Sequence, residues 1–349
     1  MSYARECIGR IAGYVPGEQP QDRKYVKLNT NENPYPPSPA VGAALREFDW
    51  TRLRLYPEPS ALMVRKAVGD VYGFEPDWVI CGNGSDDLLT IAMRTFVDQG
   101  AVLAYSEPSY SLYPVLADLQ GAGHRAVALD DSFQLPGNAA ELAGDAPLFI
   151  VANPNAPTGN LLDKATLRKI ASEFKGVLWI DEAYVDFADE SCLELCKEFK
   201  NVVVSRTLSK SFSLAGLRLG YAVASPELIF EMNKVKDSYN IDMLTQVLGT
   251  AALRDVAYMG ENAKRIRATR EATIASLKRL GCEIEPSASN FIFARPPKAA
   301  EDLFHRLKAR GYLVRYFKLP RVSDYLRITV GTSEDMESFV RVFGELLDE

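Results

Sequence analysis

Short apolar runs alternate with longer amphipathic segments along most of the chain. Seven of these runs cover residues 79–81, 102–105, 126–129, 148–151, 177–180, 202–205 and 221–224. Uninterrupted apolar runs of this length are typical of strands whose two faces are both covered. Most of the segments between them are long enough for a helix, which a crossover between parallel strands requires. The pattern therefore predicts an α/β fold with a mostly parallel seven-stranded sheet and helices on both faces.

The pattern changes after residue 224. Residues 226–235 and 241–280 have a helical pattern, and from residue 283 onward strands at 283–286, 291–294, 313–315 and 325–329 are mixed with helices at 303–310 and 334–347. Residues 1–40 are rich in proline, glycine and asparagine and cannot form one regular element. We therefore predict an N-terminal arm over 1–40 that also contributes to a small domain, a large domain over 41–240, and a small C-terminal α+β domain with a connecting helix over 241–349.

Composition and charge narrow the choice of partners. The chain has 349 residues, of which 47% are hydrophobic and 25% charged, and its net charge is −6. Since no long run of lysine and arginine is present, nucleic acid and anionic membranes are not expected as partners. No apolar run approaches the roughly 18 residues of a membrane span, and residues 1–6 lack an apolar signal core, so we expect a cytoplasmic protein.

Cysteine and histidine are too scarce for most metal and triad chemistry. The only histidines are His124 and His305. The cysteines are scattered and odd in number, which argues against a disulfide framework. They are Cys7, Cys81, Cys192, Cys196 and Cys282. Cys192 and Cys196 are one helical turn apart, but the second ligand pair that a zinc site needs is missing, so no metal is expected. Acid–base chemistry must therefore fall to lysine, tyrosine, aspartate or glutamate.

Three loops that follow predicted strands have unusual polar content. In residues 81–87 (CGNGSDD), a glycine-rich turn leads into a helix. The backbone amides at a helix N-terminus bind phosphate well, and Ser85 or Asp86 could be the N-cap, although an ordinary capped helix has the same pattern. Asp181 ends an apolar strand three residues before Tyr184, so its carboxylate needs a partner, either a protonated ring nitrogen or backbone amides. Residues 152–159 carry two prolines and a glycine that fix the backbone, as in many loops that support a site.

A lysine between two serines follows the strand predicted at 202–205. This is Lys210, and Arg218 comes eight positions later. Alone, the lysine is typical of a solvated loop. Together with the three loops, however, it lies at the carboxyl ends of strands, where open α/β sheets bind ligands. A lysine that forms a Schiff base with a phosphorylated pyridine aldehyde requires this set, in which a carboxylate such as Asp181 holds the pyridinium proton and Arg218 and the hydroxyls hold the phosphate.

Several motifs resemble those of fold-type-I aminotransferases, which use pyridoxal 5′-phosphate. They are residues 155–159 (NAPTG), 181–184 (DEAY) and 209–218 (SKSFSLAGLR). Residues 28–34 (LNTNENP), 56–59 (YPEP) and 326–331 (LRITVG) are similar to those of the histidinol-phosphate aminotransferases within that group. The resemblance covers the chain from about Leu28 to the C-terminus. It implies the fold of a fold-type-I pyridoxal-phosphate transferase, with the cofactor on the large domain.

The resemblance implies a role for each residue around the cofactor. Lys210 would form the Schiff base and, once released by the substrate, would move the proton between the substrate Cα and the cofactor C4′. Asp181 would pair with the ring nitrogen, Tyr184 would bond the ring oxygen, and Tyr110 would stack on the ring. The cofactor phosphate would be held by Ser85, Asp86, Thr207, Ser209 and Arg218.

The resemblance also implies a homodimer and a substrate side to the site. Tyr56 would reach the cofactor phosphate of the neighbouring subunit. Arg327 would take the substrate α-carboxylate as a bidentate pair. Arg315 and Tyr14 would approach the phosphate end of the substrate. One position departs from many relatives, which have an asparagine directly before Pro-Thr-Gly that also contacts the ring oxygen. Here the residue is Ala156, so Asn155 or Asn153 could replace the contact, or Tyr184 could make it alone; Asn155 is the substitute that we include in the site.

The implied reaction is ping-pong transamination of L-histidinol phosphate with 2-oxoglutarate, in histidine biosynthesis. The alternatives are an aromatic or broad-range aminotransferase, a threonine-phosphate decarboxylase, and a cofactor-binding sensor without catalysis. Arg315, Lys318 and Arg321 form a cationic set that favours a phosphate-bearing substrate, although a solvated basic turn has the same composition.

Overall fold

The computed structural model describes residues 3–5, 8–9, 11, 13–14 and 17–349. Cys7 lies outside these residues, and the other four cysteines are buried and form no disulfide. The described strands are, in chain order, β1 (Val26–Lys27), β2 (Val79–Gly82), β3 (Val102–Glu107), β4 (Gly123–Ala128), β5 (Leu148–Ala152), β6 (Val177–Asp181), β7 (Val202–Thr207), β8 (Gly220–Ala224), β9 (Glu283–Ile284), β10 (Phe291–Arg295), β11 (Tyr312–Leu313), β12 (Arg315–Tyr316) and β13 (Leu326–Thr329).

Helices connect most of these strands. In the described part of the chain they are α1 (Pro39–Glu47), α2 (Leu62–Tyr72), α3 (Ser85–Phe96), α4 (Leu112–Gln120), α5 (Ala139–Ala143), α6 (Lys164–Glu173), α7 (Leu195–Glu198), α8 (Pro226–Asn233), α9 (Met243–Arg254), α10 (Val256–Arg279), α11 (Ala300–Ala309) and α12 (Ser333–Asp348). None of the described helices is both long and apolar enough to cross a membrane.

The large sheet has the strand order β2-β8-β7-β6-β5-β3-β4. All its strands are parallel except β8, which is antiparallel to both of its neighbours. The seven strands predicted from the apolar runs are thereby confirmed. The carboxyl ends of β2, β3, β5, β6 and β7 meet at one edge of the sheet, so the loops that follow them are brought together there.

Side-chain alternation along the central strands builds a core on each face of this sheet. On β7, Val202 and Val204 pack into one cluster, and Val203 packs into the other together with Trp179. All six residues of β7 are buried. Because both faces are covered, this strand carries an uninterrupted apolar run rather than an alternating one.

A second sheet, β12-β13-β10-β9, belongs to the C-terminal part of the chain, and β1 forms a separate parallel pair with β11. The strand predicted at 313–315 is divided between these two sheets, with Val314 between them. The strand predicted at 283–286 ends at Ile284, two residues before Pro286, which has no amide N–H for a ladder. The helical segment 241–280 breaks at Asp255, where φ is −111° and ψ is 44°.

Candidate active site

A cleft of about 280 Å³ opens where the loops after β2, β3, β5, β6 and β7 converge. Residues of the N-terminal segment and of the second sheet close its other side. The predicted site residues that line this cleft are Tyr14, Ser85, Asp86, Tyr110, Asp181, Tyr184, Thr207, Ser209, Lys210, Arg218, Arg315 and Arg327. Residues that are far apart in sequence thus share one space.

One end of the cleft is shaped for an anion. The N-cap of α3 is Gly84, which has φ +86° and no side chain to cap the first amides of the helix, those of Ser85 and Asp86. A Cβ at Gly84 would collide with the Arg218 guanidinium, and a Cβ at Gly220 on β8 would lie 2.7 Å from the amide nitrogen of Ser85. The two glycines therefore let a helix N-terminus and an arginine approach one point, and both features attract negative charge.

Hydroxyl groups complete this anion-binding end. Arg218 donates from Nη1 to Ser209 Oγ at 3.2 Å, and Thr207 Oγ1 lies 2.9 Å from the same hydroxyl. Arg218 also lies 3.7 Å from the carboxylate of Asp86. Ser209 and Thr207 are buried, whereas Arg218 is half exposed and faces the opening.

Asp181 is a buried carboxyl at the floor of the cleft. Tyr113 donates its hydroxyl to Oδ2 at 3.1 Å, and Ser205 donates to Oδ1 at 3.3 Å. Burial raises the pKa of Asp181 to about 6, although the bonds from Tyr113 and Ser205 act in the opposite direction. Among the described residues, no basic side chain lies within 4 Å of Asp181, so the cleft holds a carboxyl group that lacks a cation.

The neighbouring Glu182 has a different task. Its side chain points the other way and forms a buried ion pair with Arg206, with Nη2 2.8 Å from Oε2. It also accepts hydrogen bonds from Ser191 Oγ and from the backbone amide of Cys192. Of the two adjacent carboxylates, Glu182 therefore has a structural role in a buried ion pair, and Asp181 faces the cleft.

Lys210 lies on the turn that follows β7, and its amine enters the cleft. Nζ donates to the carbonyl oxygen of Thr30 at 3.1 Å and lies 5.8 Å from the centre of the Tyr184 ring. The amide of Asn33 donates to the carbonyl oxygens of Lys210 and Ser211, at 3.1 and 3.0 Å. The backbone of the turn is thus fixed, and the amine has a single polar contact among the described residues.

Two arginines that line the cleft are cross-strand neighbours on the antiparallel pair β12–β13. Arg315 is the cross-strand partner of Arg327. Arg327 donates to the carbonyl oxygen of Asn29 at 2.9 Å, and its buried Nε has no hydrogen-bond partner among the described residues. Burial and the charge of Arg315 lower the pKa of Arg327. Like charges placed opposite each other destabilise a sheet, so this pair favours binding of an anion between or beside them.

Two predicted site residues do not line the cleft. Asn155 is fully buried, and its Nδ2 already donates to the carbonyl oxygen of Pro108 and to Thr158 Oγ1, at 2.9 and 2.7 Å. These bonds tie its amide to the neighbouring loops, so Asn155 does not line the space in which it was predicted to contact the ring oxygen. Tyr56 is 79% exposed and stacks on Tyr239 of its own chain, with ring centroids 4.5 Å apart.

The predicted cationic set does not assemble as a unit. Lys318 pairs with Glu301 at 3.0 Å, and Arg321 donates to the carbonyl oxygens of Leu129 and Asp130, both at 2.7 Å. Of the set, only Arg315 lines the cleft. Lys318 and Arg321 are therefore structural or surface cations, and they lie apart from the pair Arg315 and Arg327 that lines the cleft.

Sequence reasoning missed residues that contact the predicted ones. Tyr113, which bonds Asp181, follows Tyr110 by three positions, and that spacing places both on the same side of a helical turn. Phe317 lies under Arg327, whose guanidinium carbon is 5.4 Å from its ring. Asn31 donates from Nδ2 to the hydroxyl of Tyr184 at 3.0 Å. It stands inside the motif at 28–34, but its contact with residue 184 leaves no local signal in the sequence.

Comparison with known proteins agrees with this arrangement. Residues 23–343 match the family Aminotransferase class I and II. The histidinol-phosphate aminotransferase of Synechocystis is 46% identical over 344 residues, covering 98% of this chain and 97% of the relative. That of Crocosphaera subtropica is 44% identical over 346 residues, covering 99% of each chain.

Solved structures share the fold. The histidinol-phosphate aminotransferase of Sinorhizobium meliloti, crystallised with pyridoxal 5′-phosphate, superposes with a TM-score of 0.91 at 24% identity, covering 100% of this chain and 98% of that one. A Thermus thermophilus aspartate aminotransferase gives a TM-score of 0.79 at 20% identity, covering 93% and 92%. The chain has the fold-type-I aminotransferase fold and belongs to the class I and II aminotransferase family.

Proposed function

We infer that the protein is a pyridoxal-phosphate-dependent aminotransferase of histidine biosynthesis. It converts L-histidinol phosphate and 2-oxoglutarate into imidazole-acetol phosphate and glutamate. The observation that carries this inference is the cleft itself, which combines a lysine amine, a buried carboxyl without a cation, an anion-binding end and a facing pair of arginines. The activity named for the relatives at 44–46% identity supports it.

The residues of the cleft fit the cofactor. The amides of Ser85 and Asp86, the hydroxyl of Ser209 and the guanidinium of Arg218 would hold its phosphate, and Asp181 would face its ring nitrogen. When bound, pyridoxal phosphate supplies an aldehyde that takes up the amino group and a ring that withdraws electrons from the substrate Cα. A cation opposite Asp181 would also compensate the burial that raises the pKa of this carboxyl.

The chain's own residues position and move protons. The Lys210 amine is the base that takes the proton from the substrate Cα, since it is the one lysine among the described residues that line the cleft. The Asp181 carboxylate holds a proton on the ring nitrogen. The Tyr184 ring centre lies 5.8 Å from Lys210 Nζ, and the Tyr184 hydroxyl can donate a hydrogen bond to the ring oxygen. The cleft walls, including Tyr110 and Phe317, exclude water from these groups.

Two chemically different substrates must use the same arginines in turn. In histidinol phosphate, a CH₂–O–phosphate group on Cα takes the place of the α-carboxylate of an amino acid. Arg327 and Arg315 are close enough for either anion to meet two guanidinium groups. Sequential use of one site by the donor and by 2-oxoglutarate corresponds to the ping-pong scheme.

Arg315→Ala is expected to raise KM for histidinol phosphate by about 10- to 100-fold, the range of a lost charge-assisted contact. KM for phenylalanine, which has no phosphate, should change much less. Steady-state kinetics with both donors measures the two effects. Lys318→Ala is the matched control, because this exposed lysine pairs with Glu301 outside the cleft. Equal effects on the two donors would remove Arg315 from the phosphate role.

The choice of donor is tested directly by single-turnover spectra. Histidinol phosphate, phenylalanine and threonine phosphate are mixed in parallel with the cofactor-loaded enzyme. We expect histidinol phosphate to convert the bound cofactor fastest. Faster conversion by phenylalanine would instead indicate an aromatic aminotransferase, and loss of carbon dioxide from threonine phosphate would indicate a decarboxylase.

A homodimer is the second part of this proposal. Exposed large side chains cluster in sequence around Tyr56; they are Trp50, Leu53, Leu55, Leu62 and Met63, with exposures between 37% and 74%. Such a cluster on a soluble surface is typical of an interface. Tyr56 lies outside the cleft of its own chain, which supports a contact with the cofactor phosphate of a second copy.

Mixing two defective variants is expected to restore activity. A homodimer of Tyr56→Ala lacks the tyrosine in both sites, and a homodimer of Lys210→Ala lacks the amine in both. In a mixed dimer, one site has its own Lys210 and the partner subunit's Tyr56. Co-expressed, differently tagged chains purified by both tags should therefore regain roughly half of the wild-type activity per dimer, as one of two sites is intact. If Tyr56 served its own chain, the mixed dimer would gain nothing.

The domain division at about residues 40 and 240 and the cytoplasmic location stay predictions. The pairing of β1 with β11 supports assignment of the N-terminal segment to the small domain.

A further inference from the structure

Asn31 occupies an unusual and tightly held position. Its φ is 56°, in the left-handed region that asparagine tolerates better than most residues. Its backbone amide donates to Thr329 Oγ1 at 3.0 Å, and Asn290 donates to its carbonyl oxygen at 3.0 Å. The residue is 1% exposed. The backbone of Asn31 is therefore fixed, and this determines the direction in which its side chain points.

The hydrogen bonds around this side chain determine which of its ends faces Tyr184. The hydroxyl of Thr329 accepts the backbone amide of Asn31, so it donates its own proton to Asn31 Oδ1, at 2.9 Å. Nδ2 of Asn31 then faces the hydroxyl of Tyr184, at 3.0 Å. This orientation gives the Thr329 hydroxyl proton and one Nδ2 proton of Asn31 an acceptor each. Because an amide NH₂ cannot accept a hydrogen bond, the hydroxyl proton of Tyr184 must point away from Asn31.

The ring of Tyr184 is held independently of its hydroxyl. Phe291 makes an edge contact with it, with ring centroids 5.1 Å apart and planes at 88°. Since the ring cannot tilt freely, the remaining freedom of this side chain is the rotation of its O–H bond. Asn31 removes that freedom by filling the acceptor side of the oxygen.

We propose that Asn31 is a positioning residue that directs the Tyr184 hydroxyl proton into the cleft, where it is donated to the ring oxygen of the cofactor. The proposal rests on the proposed function, since it assumes that the cofactor occupies this cleft. It also accounts for Ala156, which has no polar side chain: the ring-oxygen contact belongs to Tyr184 alone, and a fixed donor in the N-terminal segment secures its direction.

The direction of the Tyr184 hydroxyl affects the pH at which the bound cofactor would lose its proton and change colour. A hydroxyl that donates to the ring oxygen stabilises the form in which this oxygen carries most negative charge, which is the deprotonated form. Loss of that donation therefore moves the colour change of the bound cofactor to higher pH. The other charged or titratable groups that face Tyr184 are Lys210, Arg327 and Tyr110. Among the described residues, the Asn31 side chain bonds Tyr184 and Thr329 and none of these three groups.

The test is a spectrophotometric pH titration of the cofactor-loaded protein. Asn31→Gly keeps the positive φ and removes the amide without adding charge. We expect its midpoint to rise by about one pH unit, as for loss of a hydrogen bond to a charged group. Asn31→Asp, which keeps the shape but turns the donor into an acceptor, should raise it at least as far. Asn201→Asp is the control, since its amide holds three carbonyl oxygens at the opposite end of the sheet.

A double-mutant cycle separates the proposed role from a general structural one. If Asn31 acts through Tyr184, the Asn31→Gly change should add nothing in a Tyr184→Phe background. A midpoint unchanged in Asn31→Gly, or a shift that persists without the Tyr184 hydroxyl, overturns the proposal. A wild-type protein that shows no coloured complex overturns the proposed function and this inference together, so the two failures are distinguishable.

Discussion

Replacing Lys210 with alanine is expected to lower kcat for amino transfer by at least ~10⁴-fold, because one substitution removes both the nucleophile and the proton carrier. The fold should persist, since the Lys210 amine makes one hydrogen bond, to the carbonyl oxygen of Thr30. Single-turnover spectra with histidinol phosphate measure the loss, and a thermal melt verifies the fold.

Lys200→Ala is the matched control for this prediction. The Lys200 side chain is 89% exposed, and its one ion pair among the described residues, with Glu227, is 3.8 Å long and lies outside the cleft. The activity of Lys200→Ala should stay within about twofold of wild type, as for most surface substitutions. Retention of more than a few per cent of activity by Lys210→Ala would show that another base carries the reaction.

Replacing Asp181 with asparagine is expected to act in opposite directions on the loaded and the cofactor-free protein. With cofactor, loss of the carboxylate removes the partner of the ring nitrogen, so activity and cofactor affinity should fall. Without cofactor, the buried carboxylate is a cost. Its pKa of about 6, against 3.8 in the unfolded chain, corresponds to about 3 kcal/mol of lost stability once the group is ionised.

The direction in which stability changes with pH follows from the number of protons that each state binds. Between about pH 4 and pH 6 the folded protein holds more protons on Asp181 than the unfolded chain does, so stability falls as pH rises through this window and then stays low. Asp181→Asn should remove this slope. At pH 8 the cofactor-free variant should melt on the order of 4 °C above wild type, and at pH 4 the difference should vanish.

Asp163→Asn is a control with the opposite sign. Asp163 caps α6 by accepting from the amide of Thr166 at 2.8 Å, and this bonding lowers its pKa. The stability that its carboxylate provides is present above its unfolded pKa and is lost as pH falls. Cofactor-free Asp163→Asn should therefore be less stable than wild type at pH 8. A pH-independent difference between Asp181→Asn and wild type would contradict the assigned pKa.

The sequence predicted the large sheet well because its signals are local. An apolar run such as 202–205 is sufficient to identify a strand covered on both faces, and the loops at the carboxyl ends follow from parallel topology. Asp181, Lys210 and Arg218 stand directly on those loops, so their meeting in one cleft could be anticipated from strand order alone.

Contacts between distant segments could not be predicted in this way. The bond from Asn31 to Tyr184 depends on how the N-terminal segment lies against the second sheet. The position of Arg321 on the carbonyl oxygens of Leu129 and Asp130 is equally non-local, so the basic composition of its turn was misleading. Asn155 lies outside the cleft for a related reason: a buried amide bonds to whichever groups surround it, and the sequence does not reveal them.

The contacts of the N-terminal segment can form only late in the synthesis of the chain. Asn29 and Asn31 contact Arg327 and Thr329, each across 298 positions of the chain. At about 5–20 residues per second, a ribosome needs roughly 15 to 60 s to make the second member of each pair after the first. The large sheet can form while the chain is still growing, but the side of the cleft that Arg327 lines is not assembled until residues 327–329 have emerged. A nascent chain, or one truncated before Arg327, therefore has an incomplete cleft even when the loops with Asp181 and Lys210 are in place.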